Sequence, residues 1–214
     1  ELSVLQCNQT NKCKKCVLIG SKYSGLSAHN SKRNKLITKK YCMSFVIWFS
    51  GLPCSGKSIL SKKLAQYIPN MEILDGDDEL INALRPNRTK ESRIIHAGRI
   101  AHLAKLLLKH KIPVCASIIS SFKEGRKIAR EIIGSDVFIE TYLKCSLEIC
   151  EKRDVKGMYK KARNGELDNF SGVTSPYEIP ENPELIVDTE NNTVEDCVLH
   201  ILNYLKSNNH ISSI

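Results

Sequence analysis

From residue 43 onward, short apolar runs alternate with longer stretches whose apolar residues recur at helical spacing. Phe45–Phe49 is an apolar, β-rich run that ends at a glycine loop. Met71–Leu74, Pro113–Ile119, Val137–Leu143 and Leu185–Val187 repeat the short pattern and each predicts a strand, Pro113–Ile119 and Val137–Leu143 buried ones. Between them, Ser58–Tyr67 predicts a helix stopped before Pro69. Ser92–Lys109 predicts a second, with Ile94, Ile95, Ala101, Leu103, Leu106 and Leu107 as its apolar stripe. Val194–Leu205 predicts a closing amphipathic helix. Strands alternating with helices predict an α/β domain of three layers, α/β/α, around a parallel sheet of about five strands. Residues 1–42 break this pattern. They are polar, rich in lysine and aperiodic, and read as a disordered or non-native leader, with 43–214 as the folded domain and Met43 as the expected start of translation.

Composition narrows the class. The chain has 214 residues, 42% of them hydrophobic, enough for a core without staples. Its net charge of +9 suggests nucleic acid until it is located. Nine lysines and arginines and the single acid Glu1 precede Met43, so the leader carries +8 and the rest of the chain +1. The leader has only Tyr23 and Tyr41 to stack on bases, so no nucleic-acid partner is expected. No apolar run approaches the roughly 18 residues of a membrane span, so no membrane partner is expected either. Nine cysteines in a chain of this length do not form a small disulfide scaffold. Those near Cys115 and Cys150 lie inside apolar runs and read as buried free thiols in a reducing cytoplasm. Cys13–Lys14–Lys15–Cys16 lacks an evident second pair, since Cys7, His29 and Cys42 sit at irregular spacing, and no zinc site is expected there.

The candidate chemistry starts at Gly51–Leu52–Pro53–Cys54–Ser55–Gly56–Lys57–Ser58, an ungapped G-x-x-x-x-G-K-[ST] with a strand before it and a helix after it. Glycines let the backbone curl so that successive N–H groups point at phosphate oxygens, and the helix N-terminus adds its dipole. Lys57 is placed to reach the β- and γ-phosphates of ATP, and Ser58 to offer a hydroxyl to Mg²⁺. No N-K-x-D base-reading motif follows, so a small-molecule kinase is favoured over a GTPase. Leu74–Asp75–Gly76–Asp77–Asp78 then closes the second strand. Carboxylates at a strand's C-terminal edge face the ligand crevice of an open sheet. Two of them can divide metal binding and activation of an acceptor hydroxyl, while Asp77 or Asp78 can equally cap the next helix.

With these motifs the sequence resembles the adenylylsulfate kinase family from Met43 to Leu205. The matching blocks are Gly51–Ser58, Leu74–Asp77, Ile119–Ser120, Cys150–Arg163, Phe170–Val173, Pro176–Glu178, Asn182–Leu185 and Glu195–Val198. The stretch Cys150–Glu178 is more specific than the phosphate loop. The resemblance implies a P-loop kinase fold and transfer of phosphate from MgATP to the ribose 3′-hydroxyl of adenosine 5′-phosphosulfate. It implies Asp77 as base at the acceptor ribose, Asp75 with Ser58 at Mg²⁺, Lys156 over the acceptor and Phe170 stacked on its base. Gly51, Cys54, Ser55, Gly56, Lys57, Ser58 and Ile59 would hold ATP, with Arg153 and Cys197 flanking its adenine. Ile119, Ser120 and Arg93 would line the acceptor. Ser120 matches a serine that some members carry phosphorylated; in-line transfer needs no covalent intermediate, and none is expected. Family members often form dimers, so a homodimer is expected. Lys156, Lys160, Lys161 and Arg163 suit a basic lid over two anionic nucleotides.

The acceptor half departs from the family. The arginine that usually follows Asp-Gly-Asp falls at Leu80, a usual asparagine at Arg93, a pair of arginines at Ile95 and His96, and a usual proline at Ser121. Leucine cannot replace a guanidinium's fork on an oxyanion. Two expectations follow: charge supplied anew by Arg85, Arg88 or Arg93, or a different acceptor, such as a nucleotide diphosphoramidate in surface-polysaccharide modification. A nucleotide-binding regulator without turnover is the reading from another class, and intact Lys57, Ser58, Asp75 and Asp77 argue against it.

Overall fold

In the computed structural model, residues 44–85 and 87–211 are described. The cysteines and His29 of the leader, and Met43 as a start, lie outside them. Five strands, β1 (Val46–Ser50), β2 (Glu72–Asp75), β3 (Val114–Ser117), β4 (Phe138–Lys144) and β5 (Leu185–Asp188), form one sheet in the order β2-β3-β1-β4-β5, and all four pairings are parallel. The helices are α1 (Lys57–Leu64), α2 (Glu79–Ala83), α3 (Lys90–Lys109), α4 (Lys123–Ile133), α5 (Leu147–Arg153), α6 (Met158–Arg163) and α7 (Val194–Ser207). The expected three-layer parallel architecture is therefore present, with β1 in the middle and every β1 residue buried.

Strand pleating divides the core. Phe45, Ile47 and Phe49 point to one face, where they pack with Leu60 and Leu64 of α1 and Val198, Ile201 and Leu205 of α7. Val46 and Trp48 point to the other, against Ala97, Ile100 and Ala104 of α3 and Ala129 and Ile133 of α4. Caps set the helix starts: Asp78 accepts from Leu80 and Ile81 N–H, Thr89 from Ser92, Ser146 from Ile149, and Thr193 shares a capping box with Asp196.

Three expectations change. The α3 stripe is rotated: its buried face is Ala97, Ile100, Ala101 and Ala104, while Ile95 and Leu106 are about half exposed. Small residues win because α3 and α4 approach closely, with a Cβ on Gly125 lying only 3.3 Å from that of Ala97. The strand expected to run to Ile119 stops at Ser117, and the chain then turns through a left-handed Ser120. The first helix stops at Leu64 rather than Tyr67, and a turn carries the chain to Pro69.

Helix α4 has no counterpart in the sequence reading, because its buried face includes a cation. Arg126 is 4% exposed; its Nε lies 2.9 Å from Glu140 Oε1, and its Nη atoms donate to the carbonyls of Ser120 and Glu178. Arg126→Met is expected to destabilise the fold by about 3–5 kcal/mol, since it leaves Glu140 buried with only the longer Arg130 contact. Urea unfolding checks this, and adding Glu140→Leu is expected to restore much of the loss.

Candidate active site

The phosphate loop leaves the C-terminal end of β1 at the centre of the sheet. Gly51 N–H donates to Ile119 O at 3.2 Å, tying the loop to the segment after β3. A Cβ on Gly51 would lie 2.6 Å from Ser55 Oγ and 3.0 Å from Leu143 O, so no larger residue fits there. Gly56 is the helix N-cap with φ 97°, a left-handed geometry that glycine adopts without strain. Leu60 N–H makes the first helical bond, to Gly56 O, so the amides of Lys57, Ser58 and Ile59 are first-turn donors without helical acceptors. Cys54 is left-handed too (φ 63°) and half-buried, whereas the Ile59 side chain is exposed.

Lys57 is folded into this loop. Its ammonium donates to Gly51 O at 2.9 Å, Leu52 O at 2.6 Å and Ser55 Oγ at 3.2 Å. Burial, opposed by nearby thiols and by Asp75 and Asp77, lowers its pKa from 10.5 to about 8. The loop's underside is held by Thr189, whose hydroxyl donates to Ser55 O at 2.9 Å, and by Tyr159 of α6, whose hydroxyl donates to Pro53 O at 3.0 Å. Arg153 donates to Thr189 O, and Cys197 Sγ to Asp188 O, so both sit near the same end of β5. Sequence reasoning missed Thr189 and Tyr159; Tyr159 lies inside a matching block, and the position of Thr189 just after β5 was the available signal.

Asp75 and Ser117 are register partners at the ends of β2 and β3. Pleating puts both on the α1 face, where Ile73 and Cys115 precede them in the core. The Ser117 hydroxyl is buried and has no hydrogen-bond partner among the described residues. Ser58, Asp75 and Ser117 thus offer hard oxygen donors, one of them an orphan, on the side where Lys57 lies, and that donor set suits Mg²⁺ with its retained waters. Asp77 is exposed, and its carboxylate meets Lys156 Nζ at 2.8 Å. Asp78, not Asp77, caps α2.

On the acceptor side two of the sequence departures touch. Arg93 Nη1 donates to Ser121 Oγ at 3.1 Å and to Ser171 Oγ at 2.6 Å, Nη2 donates to Asn169 O, and Nε donates to Arg88 O at 2.9 Å. Ser120 is left-handed (φ 53°), and its Oγ accepts from Trp48 Nε1 at 2.9 Å. Phe170, 3% exposed, packs edge-on to Tyr159 at 4.9 Å. Of the basic lid residues, Arg163 is spent on Glu151 through two bonds, whereas Lys156, Lys160 and Lys161 are exposed. The structure therefore gathers the loop residues, Arg153 and Cys197 on one side of the crevice. It places Asp77 with Lys156, and Arg93 with the 169–171 segment. His96, where a usual arginine falls, is buried and bonded to Ile81 O at 2.9 Å.

The profile of the Adenylylsulphate kinase family matches residues 43–188. The adenylyl-sulfate kinase of Clostridium kluyveri is 44% identical over 179 residues, covering 81% of this chain and 87% of that protein. The probable adenylyl-sulfate kinase of Aeropyrum pernix is 41% identical, covering 76% and 92%. Among solved structures, the Mycobacterium tuberculosis APS kinase CysC in complex with AMPPNP and APS superposes with a TM-score of 0.71 at 31% identity, covering 77% of this chain and 98% of that one.

The lowered Lys57 pKa has a definite sign. Between pH 8 and 10.5 the unfolded chain keeps this proton and the folded chain loses it, so stability from this group rises with pH across that window. Phosphates that take Lys57 from the loop carbonyls restore its charge. ATP binding just above pH 8 is therefore expected to take up a proton. Calorimetry in buffers of different ionisation enthalpy checks this, and Lys57→Met is expected to abolish the uptake.

Proposed function

Because the chain belongs to the adenylylsulfate kinase family, we infer that it transfers the γ-phosphoryl group of ATP to the 3′-hydroxyl of adenosine 5′-phosphosulfate. The product is 3′-phosphoadenosine 5′-phosphosulfate, and the chain is an alcohol-accepting phosphotransferase. The observation that carries this reading is that Lys57, inside a complete phosphate loop after β1, shares the C-terminal edge of the parallel sheet with Asp75 and Asp77 at and just beyond the end of β2, with β3 between the two strands.

In this reading the first-turn amides of Lys57, Ser58 and Ile59, with Gly51, Cys54, Ser55 and Gly56, hold the triphosphate. Lys57 leaves the loop carbonyls for the β- and γ-phosphates, and Arg153 and Cys197 flank the adenine. Ser58 and Asp75 hold Mg²⁺, which when bound neutralises charge on the transferring phosphates. Asp77 exchanges its Lys156 contact for the acceptor 3′-hydroxyl and takes its proton as the new O–P bond forms. The bond from the γ-phosphorus to the bridging oxygen breaks, and ADP leaves. The Asp77–Lys156 pair is exposed, at 62% and 59% of the respective side chains, so it opposes this exchange by at most about 1 kcal/mol. Lys156 then covers the acceptor with Ile119, Ser120 and Arg93. Phe170 stacks on the acceptor base once its buried ring is uncovered.

Residues 43–214 are proposed as the kinase domain and 1–42 as a leader; the family match over residues 43–188 supports the start of that domain. A homodimer rests on family resemblance. The five free cysteines among the described residues support a cytoplasmic setting, and no described helix is long and apolar enough to cross a membrane. A second reading, an acceptor with another activated phosphate such as a nucleotide diphosphoramidate, is favoured by one observation. Leu80, where a family arginine usually falls, is 70% exposed and offers no oxyanion contact.

An ADP-release assay with MgATP, adenosine 5′-phosphosulfate and a panel of other activated nucleotides separates the two; turnover confined to another nucleotide would select the second. Lys57→Ala is expected to abolish transfer with the fold intact, and normal turnover in it contradicts the loop assignment. Asp77→Asn is expected to lower kcat at least about 100-fold while ATP affinity stays nearly constant. Equal losses in both would remove Asp77 from the acceptor side.

A further inference from the structure

Three guanidinium groups, Arg85, Arg88 and Arg93, converge between α2 and the start of α3. Among the described residues none of them forms an ion pair with a carboxylate. Burial, then repulsion from its two neighbours, lowers the pKa of Arg93 to about 10, and burial with Arg88 lowers that of Arg85. Such a concentration of uncompensated positive charge is a cost that an anion removes.

The hydrogen bonds divide the three. Arg93 is engaged on all three of its nitrogens by neutral oxygens of Arg88, Ser121, Ser171 and Asn169. It braces the 169–171 segment against the end of β3. Among the described residues the Arg85 guanidinium donates only to Asn82 Oδ1, at 2.7 Å, and no side-chain bond holds the Arg88 guanidinium; both are half-buried. The backbone on either side of Arg88 is fixed. Asn87 N–H donates to Ser92 Oγ, Ser92 Oγ donates to Asn87 O, and Thr89 donates to Asn87 Oδ1 through its N–H and its hydroxyl. Asp77 precedes α2 and Arg85 follows it, and the Asp77 charge acts on Arg85, so the cluster lies on the segment that leaves the acceptor carboxylate.

We propose that Arg85 and Arg88 bind the anionic tail of the acceptor nucleotide, replacing the guanidinium contact that Leu80 cannot make. The proposal rests on the acceptor reading above and adds to it the residues that grip the phosphosulfate. Arginine forks match two oxygens of such a group at once. Arg93 is set apart from this role because four of its five N–H donors are already used on protein oxygens.

The test is calorimetric titration of adenosine 5′-phosphosulfate into the full chain saturated with MgADP, repeated for Arg85→Gln, Arg88→Gln and the double variant, with steady-state kinetics alongside. Each single variant is expected to weaken acceptor binding and raise acceptor KM about ten- to hundredfold. ATP KM and thermal midpoint are expected to stay nearly unchanged, and added salt to weaken acceptor binding less in the double variant than in the unmodified chain. Unchanged acceptor affinity in both single variants, or a parallel rise in ATP KM, overturns the proposal while leaving the kinase reading in place. If the unmodified chain itself fails to bind adenosine 5′-phosphosulfate, the acceptor reading falls and this assignment with it.

Discussion

Everything at this site depends on how closely the backbone can fold at the end of one buried strand. β1 lies between β3 and β4 with all five residues buried, so its C-terminal end is fixed from both sides. There the chain turns so close to the Leu143 carbonyl that a Cβ on Gly51 would lie 3.0 Å from it. The turn points several carbonyls inward, and they need a donor. Lys57 supplies it through bonds to Gly51 O and Leu52 O. The same lysine thus holds the loop in shape, and in the proposed mechanism it is released when phosphate oxygens replace those carbonyls. Burial in the loop is what lowers its proton affinity. The second strand layer follows from the first: β3 beside β1 and β2 beside β3 bring Ser117 and Asp75 level with the loop.

The two halves of the crevice are built on different principles. The donor half is backbone geometry, with amides, glycine conformations and a single lysine. The acceptor half is made of side chains from distant segments, and there this chain has its own solution. Arg93 and Ser121, each unusual for the family, meet at 3.1 Å and share Ser171. A guanidinium in place of an amide needs extra acceptors, and a serine in place of a proline provides one. The two changes are one physical unit. What the unit does is join the start of α3 to the segment that carries Phe170.

The phosphate loop, its flanking elements and the five strands were legible because each is a local pattern: ungapped glycines with a lysine, or short β-branched runs. Asp78 as a cap was legible as one of two options. Helix α4 was not, because Arg126 occupies an inward position where a periodicity argument expects an apolar residue, and only Glu140, fourteen residues on, explains it. The α3 face was misread because small residues, not large ones, mark a close helix contact. The Arg93–Ser121 contact spans 28 residues, and no spacing rule reaches that far. The inward fold of Lys57 was equally invisible, since the motif specifies a lysine and not where it rests without phosphate.

The most direct measurement is the position of the new phosphate ester. The full chain is incubated with MgATP and adenosine 5′-phosphosulfate, and the product is examined by phosphorus and proton NMR. The account predicts one new ester, on the ribose 3′ oxygen, formed in step with ADP. ADP release without an esterified product, or an ester at another oxygen, would contradict it.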